Sequence, residues 1–499
     1  MLCLPALILG AVLRLLFLVA IPEAFYGSDS PSYFQAADRL WGERHQIRFI
    51  RKRRWLYPML LMTSPMLPAT PARSIPIIQH LLGLATIFGI GWVAGNLTRL
   101  RFLWVPSVTV LAALLPQLLW DEHEVISDSV FLAAFVLTAA LAMPYGRLLD
   151  RKRLFWFLLA AAAVPALKPH GRGIWLGCVL YAVLVTGNPL KWNFKCWGTI
   201  LAAVFIFLSS GEKRQGDWLL LDSALPLVDL NAPKWKQYRD ALRPLVLRAR
   251  QESGQYAWDE KDYKKALGDG NPKLIDPVWA NLVPRQTEYL EVCRGLAFGA
   301  IFAHPFTFAE LTIAKIGIAF AHSSKLEEKM NPAAFWKTQE SENSGRWLHD
   351  ASQLGLFYQM DQPRYEKLVQ ERQARRNAIV PFLHAFSEKL AWLREYRDSA
   401  TGNYYLGPGW LGVLAAFGFL VCLLPGRFAA TSVLWLPAIL YLVTVFAIGN
   451  GKGDYVQPVS WVGLVLAAIG LDQAIHAAHR LVSGLRAKAH NESPVIFGT

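Results

Sequence analysis

Charge is scarce in this chain. Only 18% of its 499 residues are Asp, Glu, Lys or Arg, while 54% are hydrophobic and 12% aromatic, with 19 tryptophans. That balance excludes an ordinary soluble enzyme of this length. Cysteine is rare as well. Cys3, Cys178, Cys196, Cys293 and Cys422 are scattered and odd in number, which gives neither a disulfide framework nor a metal-binding spacing. The chain shows no repeat, no low-complexity tract, and no glycine-rich phosphate loop of P-loop or Rossmann spacing, so a bound nucleotide is not expected. Acid is scarcer than base, and the formal charge is +14. The basic residues form no single solvated stripe of the kind that binds nucleic acid. Many fall in short turns between apolar runs, where they orient a membrane protein.

What is abundant is apolar sequence in long runs. Crossing a bilayer takes roughly 20 apolar residues per helix, and spans are expected at about 2–22, 75–97, 102–120, 127–145, 154–167, 173–187, 196–210, 406–425, 431–449 and 456–475. The first run carries Arg14 at its middle and lacks a small-x-small cleavage site, so it reads as a retained span rather than a signal peptide. The expected fold is an all-α polytopic membrane protein of about ten transmembrane helices, with interfacial helices and a mainly α domain on the outer face.

Orientation follows from the turns. With the N-terminus inside, "TRLR" (98–101), "GRLLDRKR" (146–153), "NPLKWNFK" (188–195), "GRF" (426–428) and the basic tail are cytoplasmic, and the acidic turn "WDEHEVISDS" (120–129) is outside. The chain then divides into an N-terminal transmembrane module, 1–210, with its first outer loop at 23–57. An outer region follows at 211–405, then C-terminal spans at 406–475 and a cytoplasmic tail at 476–499. Within the outer region, 296–320 is apolar but interrupted by His304, Pro305, Glu310 and Lys315. A single crossing there would carry the basic tail outside, so an interfacial or re-entrant segment is expected.

Two outer segments break the charge rule: "RHQIRFIRKRRW" (44–55), with Arg51, Arg53 and Arg54, and "LKPHGR" (167–172), with Lys168, His170 and Arg172. Attraction to anionic headgroups would account for the first, and a local reversal of topology for the second. The stretch "FYGSDSPSYFQAADRLWG" (25–42) places Asp29 at the head of a short helix that Ser30 and Pro31 can start and Gly42 can end. Tyr33, Ala37, Leu40 and Trp41 share one face of that helix, which suits the outer membrane surface. Asp29 alone could simply mark the polar end of a span. Arg14 calls for a pairing partner within the bundle, and His80 reads as an inter-helix hydrogen-bonder.

Taken in order, these features resemble the GT-C superfamily of polytopic glycosyltransferases, including the bacterial mannosyl- and aminoarabinose-transferase-like families, which use polyprenyl-phosphate-linked sugars. The resemblance lies in Arg14, Asp29, Tyr33, Ala36 and Ala37, then "WLYPMLL" (55–61), "IIQHLLGLATIFGIGWVAGNL" (77–97), "EVISDSVFLAAFVLTAAL" (124–141), "AIFAHPFTFAELTIAKIGIAF" and "GDYVQPVSWVGLVLAAIGL". The Lys-Pro-Pro of the aminoarabinose transferases is replaced by "RRWLYP", and the closing Arg-Tyr by Asp454-Tyr455. Both departures leave the sugar open.

The resemblance implies a GT-C-like fold and an inverting transfer from the lipid-phosphate donor to an envelope lipid, glycan or protein. It implies Asp29 as general base, in a bacterial inner membrane with the pocket facing the periplasm. The second acidic candidates are Asp121, Glu122, Glu124 and Asp128, which in some members assist the base or help hold a divalent metal; no cofactor is certain, and one histidine, His123, is a weak ligand signal. Arg51, Arg53, Arg54, Lys168, His170 and Arg172 would bind the donor phosphate. Three rivals remain. A ligase or polymerase of undecaprenyl-linked glycans would put arginines at the centre of the chemistry. A lipid transporter or flippase would show repeats or midplane charges, and a scaffold would tolerate loss of its outer charges.

Overall fold

The computed structural model describes residues 2–20, 54–63, 71–143 except 115, 150–209, 220–253 except 222, 286–321, 410–448 and 456–491, with Ala24, Ser30, Ser32, Tyr33, Ala36, Ala37, Leu148 and Lys367. Among these residues the chain is mostly helical, and no strand forms. The main elements are α1 (Leu4–Ala20), α2 (Leu56–Thr63), α3 (Pro71–Leu97), α4 (Arg101–Leu114), α5 (Pro116–His123), α6 (Asp128–Leu141), α7 (Arg151–Leu167), α8 (Gly171–Thr186), α9 (Phe194–Ser209), α10 (Lys236–Ser253), α11 (Gln286–Ala303), α12 (Pro305–Ala321), α13 (Trp410–Cys422), α14 (Phe428–Ile448) and α15 (Gln457–Asn491).

Among the described residues, three helices are long and apolar enough to cross a bilayer: Arg73–Leu97, Phe428–Ala447 and Pro458–Leu485. Six shorter apolar helices accompany them, among them Leu4–Val19, Asp128–Leu141 and Gly171–Thr186. This is a helical membrane-type protein. Helix α1 shows the reason in its sequence. Leu4, Ile8, Val12, Leu15 and Val19 repeat every three or four residues and are exposed, while Ala6 and Arg14 on the other face are buried. An apolar stripe turned outward and a charge turned inward invert the soluble pattern, as a lipid environment demands.

The helices pack in sequence-distant pairs, α8 on α14 and α13 on α15, around a core that includes Phe131, Phe135, Trp461 and Tyr441. Small residues allow the approach. A side chain at Gly177 would sit 2.4 Å from the Pro437 Cα, and one at Gly173 the same distance from the Leu440 carbonyl oxygen. At the far end of α3 and α4, the fully buried Asp472 of α15 accepts from the backbone N–H groups of Arg99 and Leu100 and from the Trp104 indole, at 3.1, 2.9 and 3.2 Å. This carboxylate binds the amides of the α3–α4 connection and the Trp104 indole of α4, and so ties α15 to α4.

A second, smaller core joins α10, α11 and the stretch 220–230 through Leu221, Tyr238, Leu242, Val246, Val292 and Leu296. Arg250 pins that stretch to α10 by donating to the Pro226 and Val228 carbonyls, both at 2.9 Å. Helices α11 and α12 meet at His304 with a bend of 102° and do not form one straight rod. Helix α12 packs on α14.

Two expected boundaries shift. The single run expected at 102–120 is two helices, α4 and α5, because Pro116 has no N–H to continue α4 and opens α5 instead. The last helix does not stop near 475 but runs to Asn491, since "HAAHRLVSGLRAKAH" contains no proline and a single glycine.

Candidate functional site

Seven elements converge on the acidic turn 121–128 between α5 and α6: α1, the residues around Ser30 and Tyr33, α2, α3, α5, α6 and the α7–α8 connection. The turn has an inner, sealed side. There Arg14 Nη2 donates to Glu122 Oε1 at 2.5 Å and Nη1 to the Gly10 carbonyl at 3.1 Å. His80 Nδ1 lies 2.8 Å from the other Glu122 oxygen, and His80 Nε2 lies 3.1 Å from His123 Nδ1. Phe17 closes over His123 edge to face at 4.9 Å. All four polar residues are at most 2% exposed. Gly83 makes the fit, for a methyl group there would stand 1.9 Å from Glu122 Oε1. The pairing expected for Arg14 is therefore met by Glu122, 108 residues away. With both of its oxygens held by α1 and α3, Glu122 is a structural carboxylate.

Around the turn runs a clasp. Gln79, fully buried, donates from Nε2 to the carbonyls of Glu122 and Glu124 at 2.9 and 2.8 Å, and its Oε1 accepts from Tyr57 at 2.9 Å. Ser30 Oγ donates to the Val125 carbonyl at 2.9 Å, and the Tyr33 and Ser127 hydroxyls share a bond of 2.7 Å. Tyr33 meets Tyr57 edge to face at 4.9 Å. Burial, and then the negative charges that Tyr33, Glu124 and Asp128 would oppose to it, hold the Tyr57 hydroxyl well above its usual range. It therefore stays protonated and able to donate. Tyr33, Ala36 and Ala37 are buried against the protein. Ala37 thus turns inward with Tyr33, a packing face rather than a membrane-facing one.

The third part is a basin of cations. Lys168, from the α7–α8 connection, forms an ion pair with Asp128 Oδ1 and lies over the Phe131 ring, 5.9 Å from its centroid. The second Asp128 oxygen, Oδ2, is buried without a hydrogen-bond partner among the described residues. His170, at the N-cap of α8, feels Lys168, Arg172, Arg54 and Asp128 together. Its burial pushes its pKa down to about 4; the charges of Lys168, Arg172 and Arg54 push the same way and Asp128 opposes them. His170 is therefore neutral at pH 7 and brings an N–H, not the positive charge that the sequence suggested. Arg54 is 4% exposed, and Lys168 and Asp128 are 17% and 15% exposed at their side chains.

The structure thus joins Arg54 of the first basic segment with Lys168, His170 and Arg172 of the second, against the acidic turn. Asp29, Arg51 and Arg53 lie outside the described residues, as do Asp454 and Tyr455. Asp121 is buried, and Glu124 is only partly so. Among the described residues no group of three metal-ligating side chains comes together. Sequence reasoning missed Gln79, which nothing in the pattern of α3 distinguishes from an ordinary polar residue; its neighbour His80 drew attention only by type. Tyr57 lies within "WLYPMLL" (55–61), a stretch to which the resemblance gives no role. No protein-family model, curated protein or solved structure matches the chain.

Proposed function

We propose that the chain is an integral membrane glycosyltransferase of GT-C type. It transfers a sugar from a polyprenyl-phosphate donor to a cell-envelope lipid, glycan or protein at the outer face of a bacterial inner membrane. The observation that carries this reading is the meeting of Arg54 with Lys168, His170 and Arg172 beside Asp128. Three fixed cations and one ion-paired carboxylate, at the edge of a helical bundle with lipid-type faces, suit a phosphate carried on a lipid tail. The ten apolar runs supply about ten spans, and the acidic turn with its basin lies at their outer ends.

In the reaction, the Asp29 carboxylate takes the proton of the acceptor hydroxyl as its oxygen bonds to the anomeric carbon. The bond from that carbon to the phosphate oxygen breaks with inversion, and the electron pair stays on the phosphate. Arg54, Lys168 and Arg172 stabilise the added charge. Asp29 immediately precedes Ser30, which is fixed to the acidic turn. Glu124, half-buried like Asp128, is the second carboxylate within this arrangement.

The presence of two arginines in the basin favours one alternative, an undecaprenyl-linked glycan ligase or polymerase. The deciding test is transfer from radiolabelled polyprenyl-phosphate sugars in membranes, comparing wild type with Asp29→Asn and Arg54→Gln. Loss of transfer in both folded variants supports the proposal. Transfer that survives Asp29→Asn but not Arg54→Gln selects the ligase chemistry. Absence of transfer by the wild type from every donor rejects the glycosyltransferase.

A further inference from the structure

The ends of α7, α8 and α9 away from the acidic turn carry chemistry that the site does not use. The α7–α8 connection lies at that turn, so the start of α7 and the end of α8 stand roughly 25 Å from it along the helices. Between Asp128 and Glu212 the sequence holds one acidic residue, Asp150. Its carboxylate is engaged as the N-cap of α7, where it accepts from the Lys152 N–H at 3.0 Å. Beside it stand Arg151 and Lys152, and in the turn 187–195 Lys191 and Lys195, all four exposed. Helix α9 packs on α7, and Arg151 acts electrostatically on Cys196 in the first turn of α9, so the two pairs share one surface.

The turn is closed by its own polar groups. Gly187, at φ 68°, ends α8 and donates to the Val183 carbonyl at 2.8 Å. Asn188 accepts from the Leu190 N–H and Asn193 from the Cys196 N–H, both at 2.9 Å. Trp192 is buried, with its indole donating to the Thr186 hydroxyl at 3.0 Å and its ring beside that of Trp197. With these groups committed inward, the turn presents Leu190 and Phe194 outward at 85% and 88% exposure, each followed directly by a lysine. Two large apolar side chains held in the open are costly in water. Phe194 also begins the exposed stripe Phe194, Trp197, Leu201, Phe205 of α9, which repeats every three or four residues like the outward stripe of α1.

We propose that this surface seats an anionic phospholipid of the leaflet opposite the acidic turn, with Lys191, Lys195, Arg151 and Lys152 at the headgroup and Leu190 and Phe194 among the acyl chains. A phospholipid offers both phases at once. The stripe of α9 runs without a break into the turn, so the hydrocarbon that covers one covers the other. The lysine stems lie along that hydrocarbon while their ammonium groups reach the phosphates. Four cations against one capping carboxylate leave a surplus that a zwitterionic headgroup does not neutralise. The seat is independent of the reaction proposed for the acidic turn.

The test is native mass spectrometry of the full chain in a non-ionic detergent, titrated with phosphatidylglycerol or with phosphatidylcholine. It reads the number of lipids retained and the affinity of each. Wild type should hold phosphatidylglycerol the more tightly. Lys191→Gln/Lys195→Gln should weaken it about fivefold for each cation lost, so about 25-fold together, and leave phosphatidylcholine unchanged. Lys191→Arg/Lys195→Arg should keep wild-type retention. Leu190→Ser/Phe194→Ser should weaken both lipids. Lys236→Gln/Arg243→Gln, which removes the same charge from exposed positions on α10, should weaken neither. Equal retention of the two lipids by wild type overturns the proposal. So does a loss as large in the α10 variant, which makes the attraction one of net charge. If Lys191→Gln/Lys195→Gln keeps its phosphatidylglycerol but changes the oligomeric state by light scattering, a second copy covers this face and the lipid seat is rejected.

Discussion

Glu122 and Asp128 stand six residues apart on one turn and have opposite fates. Glu122 is 2% exposed, with Arg14 on one oxygen and His80 on the other, and Gly83 leaves it just enough room. Asp128 keeps a side-chain exposure of 15%, has Lys168 on one oxygen, and on the other has no hydrogen-bond partner among the described residues. A carboxylate with a partner from another helix on each oxygen holds helices together. One with an oxygen unmatched among the described residues, ion-paired to Lys168 on the other, suits the proposed phosphate site. The difference teaches that the acidic turn is anchored on its inner side so that its outer side can be held in a fixed geometry.

Breaking the inner side should have the largest effect. Arg14→Met leaves the Glu122 carboxylate buried beside a single histidine, and loss of one partner from a buried pair costs about 3–5 kcal/mol. Denaturant or thermal unfolding in detergent should show this. The double variant Arg14→Met/Glu122→Gln should recover a good part of the loss; if it is no better than the single, the ion pair is not the anchor. The same treatment of the outer pair, Lys168→Met, should cost roughly 1 kcal/mol or less, since these side chains are partly solvated.

Next in size is the effect on turnover. Lys168→Gln and Arg54→Gln should each lower the proposed sugar transfer by about 10²–10³-fold, the scale of removing one donor to a developing oxyanion, while their unfolding curves stay close to wild type. A parallel loss of stability and activity would instead make the basin structural. On the inner side again, Gly83→Ala should destabilise by about 1–3 kcal/mol through overpacking against Glu122.

A pH titration sharpens the contrast between the two sides. His170 has its folded pKa lowered to about 4 from 6.5. As pH falls from 6.5 towards 4, the unfolded chain binds a proton there that the folded chain does not, so stability is complete above 6.5 and declines through that window. Unfolding of wild type followed against pH should show that decline, and His170→Gln should flatten its share of it. The smallest effect is expected from Tyr57→Phe, which removes one hydrogen bond to Gln79 and should cost about 1 kcal/mol with little change in transfer.

Much of this arrangement was legible before any fold was known. The apolar runs coincide with helices because their lipid-facing residues need no soluble partner face, as the stripe Leu4, Ile8, Val12, Leu15, Val19 shows. The out-of-place cations in 44–55 and 167–172 announced themselves by contradicting the orientation of every other turn. What stayed hidden was the division of labour among the four acids of the turn. Asp121, Glu122, Glu124 and Asp128 look alike in the sequence, and only the neighbours brought by α1, α3 and the α7–α8 connection tell them apart. Gln79 was hidden for the same reason, since its three hydrogen bonds go to backbone and side-chain atoms supplied by other helices.

The sequence by itself determined that the chain is helical, membrane-type and acidic at one turn, because hydropathy, proline placement and charge are local properties. The tertiary structure alone decided that Arg14 meets Glu122 across 108 residues, that Lys168 meets Asp128 across 40, and that Arg54 joins them. Those contacts depend on which helices lie side by side, and that is set by long-range packing such as the close approach of α8 to α14. No residue carries that information in its own neighbourhood.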